Sequence, residues 1–99
     1  MEQIYSIDDL RSILSPVFAR YGVKRAVLFG SYGKKSATEK SDVDLLVDSG
    51  LRGLRFIGLS EELRSALQKD VDVFDVSHIT PQSRIDRDIR NTGVTLYEK

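Results

Sequence analysis

The sequence contains no cysteine, which excludes disulfide staples, thiolate metal ligands and cysteine nucleophiles. Tryptophan is also absent, and the one histidine, His78, cannot build a multi-histidine metal site within a single chain. Apolar runs reach only a few residues, so no segment is expected to span a bilayer as a helix. The opening MEQIYSIDDL carries charge where a secretory leader would carry an apolar stretch, so the expectation is a soluble, cytoplasmic protein with no membrane association. A positive excess is missing as well, since 15 Lys and Arg meet 15 Asp and Glu. That balance argues against a general nucleic-acid binder, in which strong basic excess follows the phosphates. With 99 residues, 40% hydrophobic and 30% charged, the chain is expected to form one globular domain over residues 1–99.

The residues that are present alternate between helical and strand periods. Ile7, Leu10, Ile13, Leu14, Val17, Phe18 and Tyr21 predict a helix stopped by Gly22, with Pro16 expected to kink or divide it. Residues 25–29 read as a short buried strand, and the polar stretch 31–41 as a turn, a short helix or both. Val43, Leu45 and Val47 alternate with Asp42, Asp44, Leu46 and Asp48, a period-two strand with one apolar and one largely acidic face. A second helix is expected over about 54–68, with Leu54, Ile57, Leu59, Leu63, Ala66 and Leu67 on its core side. A strand through Val71 and Val73 follows, then a helix beginning near Pro81 and closing at Gly93, then a last strand over 94–98. The expected fold is α/β in the α+β sense: a small mixed sheet of about four strands, partly antiparallel, with helices packed on one face. The first two predicted strands are too close for a long crossover and should pair antiparallel.

Chemistry concentrates at three places. Gly30-Ser31-Tyr32-Gly33 directly follows an apolar strand, where glycine permits a sharp turn and close approach of a phosphate. A tight turn without a ligand would have the same sequence, and neither a GxxxxGK[ST] loop nor a GxGxxG motif is present. Asp42 and Asp44 stand on one face of their strand, two like charges whose repulsion a hard divalent cation would remove. A solvated acidic face that keeps a strand soluble is the competing explanation. Asp72, flanked by Val71 and Val73, would join them if its strand shares the sheet, and three carboxylates could hold two metal ions. Asp70 competes for that place, whereas Asp48 and Asp75 read as strand-end or surface charges. His78 reads as a loop residue and Tyr32 as packing at the turn. Leu51, Leu54, Phe56 and Ile57 read as the start of a core helix rather than a partner surface.

Taken together, Gly30-Ser31, the step to Asp42-Val43-Asp44-Leu45-Leu46-Val47 and the later Val71-Asp72-Val73 resemble the nucleotidyltransferase fold of the DNA polymerase β superfamily. The short length resembles its minimal nucleotidyltransferase (MNT) branch, and Gly93-Val94-Thr95-Leu96-Tyr97-Glu98 is similar to the last strand of such proteins. The resemblance implies that Gly30 and Ser31, with charge from Lys34 and Lys35, hold a nucleoside triphosphate. It implies that Asp42 and Asp44 ligate two Mg²⁺ ions and that Asp72 completes the site on the side of the attacking hydroxyl. Many relatives carry an Arg-Gly pair where this chain has Lys34-Lys35, which supplies charge without the guanidinium fork. The implied reaction is attack of a hydroxyl on the α-phosphate of ATP, releasing pyrophosphate. The implied partner is a HEPN-domain toxin that receives AMP from its antitoxin. Two other readings stay open: a non-catalytic antitoxin that neutralises its partner by occlusion, and another two-metal enzyme such as a phosphatase or nuclease. The neutral total hides a local contrast: residues 24–40 carry five Lys or Arg against one Glu, and residues 41–76 carry four against eight Asp or Glu.

Overall fold

The computed structural model describes residues 4–34, 37, 38 and 40–99. Its first element, α1 (Ile7–Arg20), begins at a reciprocal cap. The Ser6 hydroxyl accepts the Asp9 amide, and the Asp9 carboxylate accepts the Ser6 amide. The division expected at Pro16 does not occur, and α1 continues through it as one helix. An interior proline costs about 3 kcal/mol. Against that, Leu10, Leu14, Val17 and Phe18 are all buried on one stripe, and each contributes about 1.5–3 kcal/mol on leaving water. Burial wins, and the proline itself sits on the exposed side.

Four strands follow in chain order: β1 (Arg25–Phe29), β2 (Val43–Asp48), β3 (Val71–Asp75) and β4 (Val94–Glu98). They form one mixed sheet in the order β3-β2-β1-β4. β1 pairs antiparallel with both β2 and β4, as its short connection to β2 requires. β2 and β3 are parallel, and α3 (Leu54–Leu67) makes the crossover between them. The expected α+β fold with a four-stranded, partly antiparallel mixed sheet is therefore the observed one, whereas the helices, expected on one face, pack on both, because the second face also carries apolar side chains to cover.

The period of two sorts the sheet into two faces. Ala26 and Leu28, Val43, Leu45 and Val47, and Val71 and Val73 turn towards α1 and α3, where the main core lies. Arg11 donates to the carbonyls of Leu96 and Thr95, tying α1 to β4, while Arg20 and Tyr21 both reach Glu62 on α3. The opposite face carries Val27, Phe29, Asp44, Leu46, Asp72 and Phe74, with the rings of Phe29 and Phe74 5.9 Å apart. A one-turn helix, α2 (Gly30–Gly33), follows β1 directly. The last helix, α4 (Arg84–Thr92), is capped by Ser83 and ends at Gly93. It lies along this second face, where Ile89 shares a shallow cavity with Leu46 and Val76.

Two further sequence expectations need correction. Leu54 and Ile57 are 84% and 54% exposed, so they are not core residues of α3. The buried stripe is Leu59, Ser60, Leu63 and Leu67; at about 100° per residue Leu54 falls opposite it and Ile57 on its flank, and Ala66, also expected on the core side, is exposed. Phe56 falls on the stripe and packs against the core, and its ring meets His78 edge-on at 5.9 Å. Asp75 is the second correction. It is 3% exposed rather than a surface charge, because its position on β3 has the same parity as Val71 and Val73. Among the described residues, no helix is long and apolar enough to cross a membrane.

Candidate active site

Each strand delivers its site residue by register. Asp44 pairs with Phe29 across the antiparallel ladder and with Asp72 across the parallel one. Asp44 and Asp72 therefore stand side by side on the second face of adjacent strands. Asp42 is exposed immediately before β2. Asp70 lies before β3, where its carbonyl accepts the Val43 amide at 3.1 Å, and it is Asp72 that faces Asp44.

The electrostatics of this group are one-sided. Asp44 is pushed up from 3.8 to about 6, first by burial, then by the charges of Asp72 and Asp42, a hydrogen bond shared with Asp72, and the charge of Asp88. All three charged neighbours that raise it are aspartates, so the site holds more negative charge than its surroundings relieve. Asp88, half-buried on α4, is a participant of which the sequence pattern gives no sign.

The turn after β1 lies against the same carboxylates. Gly30 has φ of +72°, a left-handed conformation that favours glycine. A Cβ at Gly30 would also overlap Oδ2 of Asp44. The Gly30 amide donates to Thr92 Oγ1 at 3.0 Å, and the Lys34 amide donates to the Gly30 carbonyl at 3.0 Å. Ser31 is half-buried and Lys34 exposed within this turn, while Lys35 lies outside the described residues.

Gly30→Ala separates the two demands on this glycine. The left-handed strain alone costs about 1 kcal/mol, and displacing the Asp44 carboxylate adds to it. Gly22 supplies the control, with φ of +70° and nothing within 4 Å of where a methyl group would stand. Thermal denaturation should show Gly30→Ala losing about 10 °C in Tm, roughly twice the loss of Gly22→Ala. Equal losses would mean that the contact with Asp44 carries no cost.

The donor set fits a hard divalent cation in one particular way. Among the described residues, no three or more His, Cys, Asp or Glu side chains form a group that could hold a metal by themselves. What the sheet offers is a facing pair, Asp44 and Asp72, with the charge of Asp42 close by. Magnesium is commonly bound by one or two carboxylates together with substrate phosphates and water, not by a closed protein cage. An open, over-negative pair beside a glycine turn has that character.

The chain matches the family described as Polymerase beta, Nucleotidyltransferase over residues 13–99. It is 37% identical over 78 residues to a candidate protein adenylyltransferase of Methanocaldococcus jannaschii, covering 77% of this chain and 84% of that one. Its fold is similar to a chain in a toxin–antitoxin crystal structure with AMP-PNP, at a TM-score of 0.76, 22% identity, and 90% and 73% of the two chains. A TM-score of 0.71 relates it to a chain in the complex of a tri-AMPylated Shewanella oneidensis HEPN toxin with an MNT antitoxin, at 21% identity, covering 94% and 73%.

Proposed function

The chain belongs to the polymerase beta nucleotidyltransferase family and is a nucleotidyltransferase, and from that premise we propose that it transfers AMP from ATP to a hydroxyl on a HEPN-type partner toxin. The observation that carries this reading is the Asp44–Asp72 pair, set side by side against the Gly30 turn. Such a pair costs stability in an empty site and gains a purpose when a cation and a triphosphate share it. The neighbours in toxin–antitoxin complexes, one with AMP-PNP and one with an AMPylated HEPN toxin, support the choice of nucleotide and acceptor.

In this mechanism Asp44 and Asp72, with Asp42 beside them, would hold Mg²⁺ together with the phosphates, and the ion would supply neutralisation of phosphate charge and a more acidic acceptor hydroxyl. The Gly30–Ser31 turn seats the triphosphate, and Lys34 adds positive charge from the edge of the turn. The acceptor oxygen forms a bond to the α-phosphorus while the bond from that phosphorus to the bridging oxygen breaks, releasing pyrophosphate. Asp72, on the exposed side of the pair, takes the hydroxyl proton. Positioning and charge neutralisation supply most of the acceleration in such transfers.

Incubating the protein with Mg²⁺, α-labelled ATP and its HEPN-type partner tests the proposal, with the Asp42→Asn/Asp44→Asn double variant alongside. Label on the partner with wild type and none with the variant is the expected result. No label with wild type, together with full neutralisation by the variant, would replace transfer with occlusion.

A further inference from the structure

The four residues of the phosphate turn rest on one residue far along the chain. Thr92 Oγ1 accepts the Gly30 amide at 3.0 Å and donates its own proton to the Asp88 carbonyl at 2.7 Å. The second bond fixes the direction of the first, because a hydroxyl whose proton is committed turns a lone pair to its other neighbour. At the far end of the turn, a Cβ on Gly33 would overlap the Thr92 carbonyl oxygen. Both glycines of Gly30-Ser31-Tyr32-Gly33 are thus set by Thr92, one through its side chain and one through its backbone. The Gly30 backbone in turn abuts the Asp44 carboxylate. Any shift of the turn away from Thr92 changes its spacing from Asp44.

We infer that Thr92 is a positioning residue for nucleotidyl transfer, holding the triphosphate turn at its working distance from the aspartate pair. The inference rests on the transferase reading given above. Thr92 touches neither nucleotide nor acceptor in this scheme; it acts through Gly30. Its hydroxyl spares the Gly30 amide from being a buried donor without a partner, and it does so from α4, a helix with no fully buried residue.

Thr92→Val keeps the shape and removes the hydroxyl, and Thr92→Ser restores the hydroxyl. Thr92→Val is expected to raise KM for ATP about tenfold with a smaller change in kcat, and Thr92→Ser to return KM to near the wild-type value. Amide hydrogen exchange gives a readout independent of activity: Gly30 should be protected in wild type and Thr92→Ser, and exchange freely in Thr92→Val. A Thr92→Val protein with wild-type KM would overturn the inference, as would a freely exchanging Gly30 amide in the wild type. Absence of transfer by the wild type would count against the transferase reading instead, and Gly30 exchange would still decide whether Thr92 holds the turn.

Discussion

Asp44→Asn is expected to lower transfer by about a thousandfold while making the protein more stable at neutral pH in the absence of divalent ions. The two effects share a cause. The folded value of about 6 for Asp44 lies above its ordinary 3.8, so the native state binds this proton more tightly than the unfolded chain does. Its charge costs nothing below pH 3.8, begins to cost as pH rises from there, and costs its full amount above about 6. In a dry site that shift would correspond to about 3 kcal/mol. Asp44 is only partly buried, and solvent screening reduces the figure to about 1–2 kcal/mol.

Thermal denaturation without divalent ions should therefore place the variant about 5–10 °C above wild type at pH 8 and level with it near pH 4. Added Mg²⁺ should raise Tm for wild type and leave the variant where it was. A variant less stable than wild type at pH 8 would mean that repulsion among the aspartates does not shape the site. The exchange of stability for a charged, open site follows from the ladder register, which leaves the strands no other way to face Asp44 and Asp72.

Asp75→Ala should have the opposite character, with a large loss of stability and little loss of transfer per folded molecule. Burial acts to raise the Asp75 carboxyl, yet hydrogen bonds from Ser77 and Ser49 outweigh it and hold the group at about 2. Oδ1 accepts the Ser49 hydroxyl at 2.7 Å and amide at 3.2 Å, and Oδ2 accepts the Ser77 hydroxyl at 2.6 Å and amide at 3.0 Å. One carboxylate thus joins the end of β2 to the end of β3. Removing it strands two amides and two hydroxyls, at a cost of about 3 kcal/mol or roughly 15 °C in Tm. The pH dependence runs opposite to that of Asp44. Stability from Asp75 is present above pH 3.8 and is lost as pH falls towards 2, because its folded value lies below the ordinary one. Wild type should lose about 2 kcal/mol through this window and Asp75→Ala should not, as urea titrations at pH 7 and pH 2.5 would show. A variant with wild-type stability at pH 7 would leave the serine–aspartate cluster without a structural role.

Much of this architecture can be read from local pattern. The alternation through Val43–Asp48 defines β2 and its acidic face, and Gly22 and Gly93 mark where α1 and α4 stop. The facing of Asp72 and Asp44 follows from matching the valine pattern of two strands. What the pattern hides is placement across distance. Nothing in the spacing of Asp88 and Thr92 says that α4 returns over the second face of the sheet, so their part in the site emerges only with the fold. Asp75 is hidden for a similar reason: a carboxylate is expected to be exposed unless its partners are known, and Ser49 lies 26 residues away. Leu54 and Ile57 mislead because apolar content alone ignores the angle each residue takes on the helix.

The parallel pairing of β2 with β3 also has a consequence for the order of folding. Phe29 and Asp44, partners in the antiparallel ladder, are 15 residues apart, whereas Asp44 and Asp72 are 28 apart with a helix between them. Closing the longer loop costs more entropy, so the native hairpin can form before the edge strand docks. Until that docking, Asp44 and Asp72 do not face one another. On the proposed reading, a chain in which β3 has not yet docked on β2 lacks the carboxylate pair that transfer requires, whatever the state of the still longer-range pairing of β4 with β1.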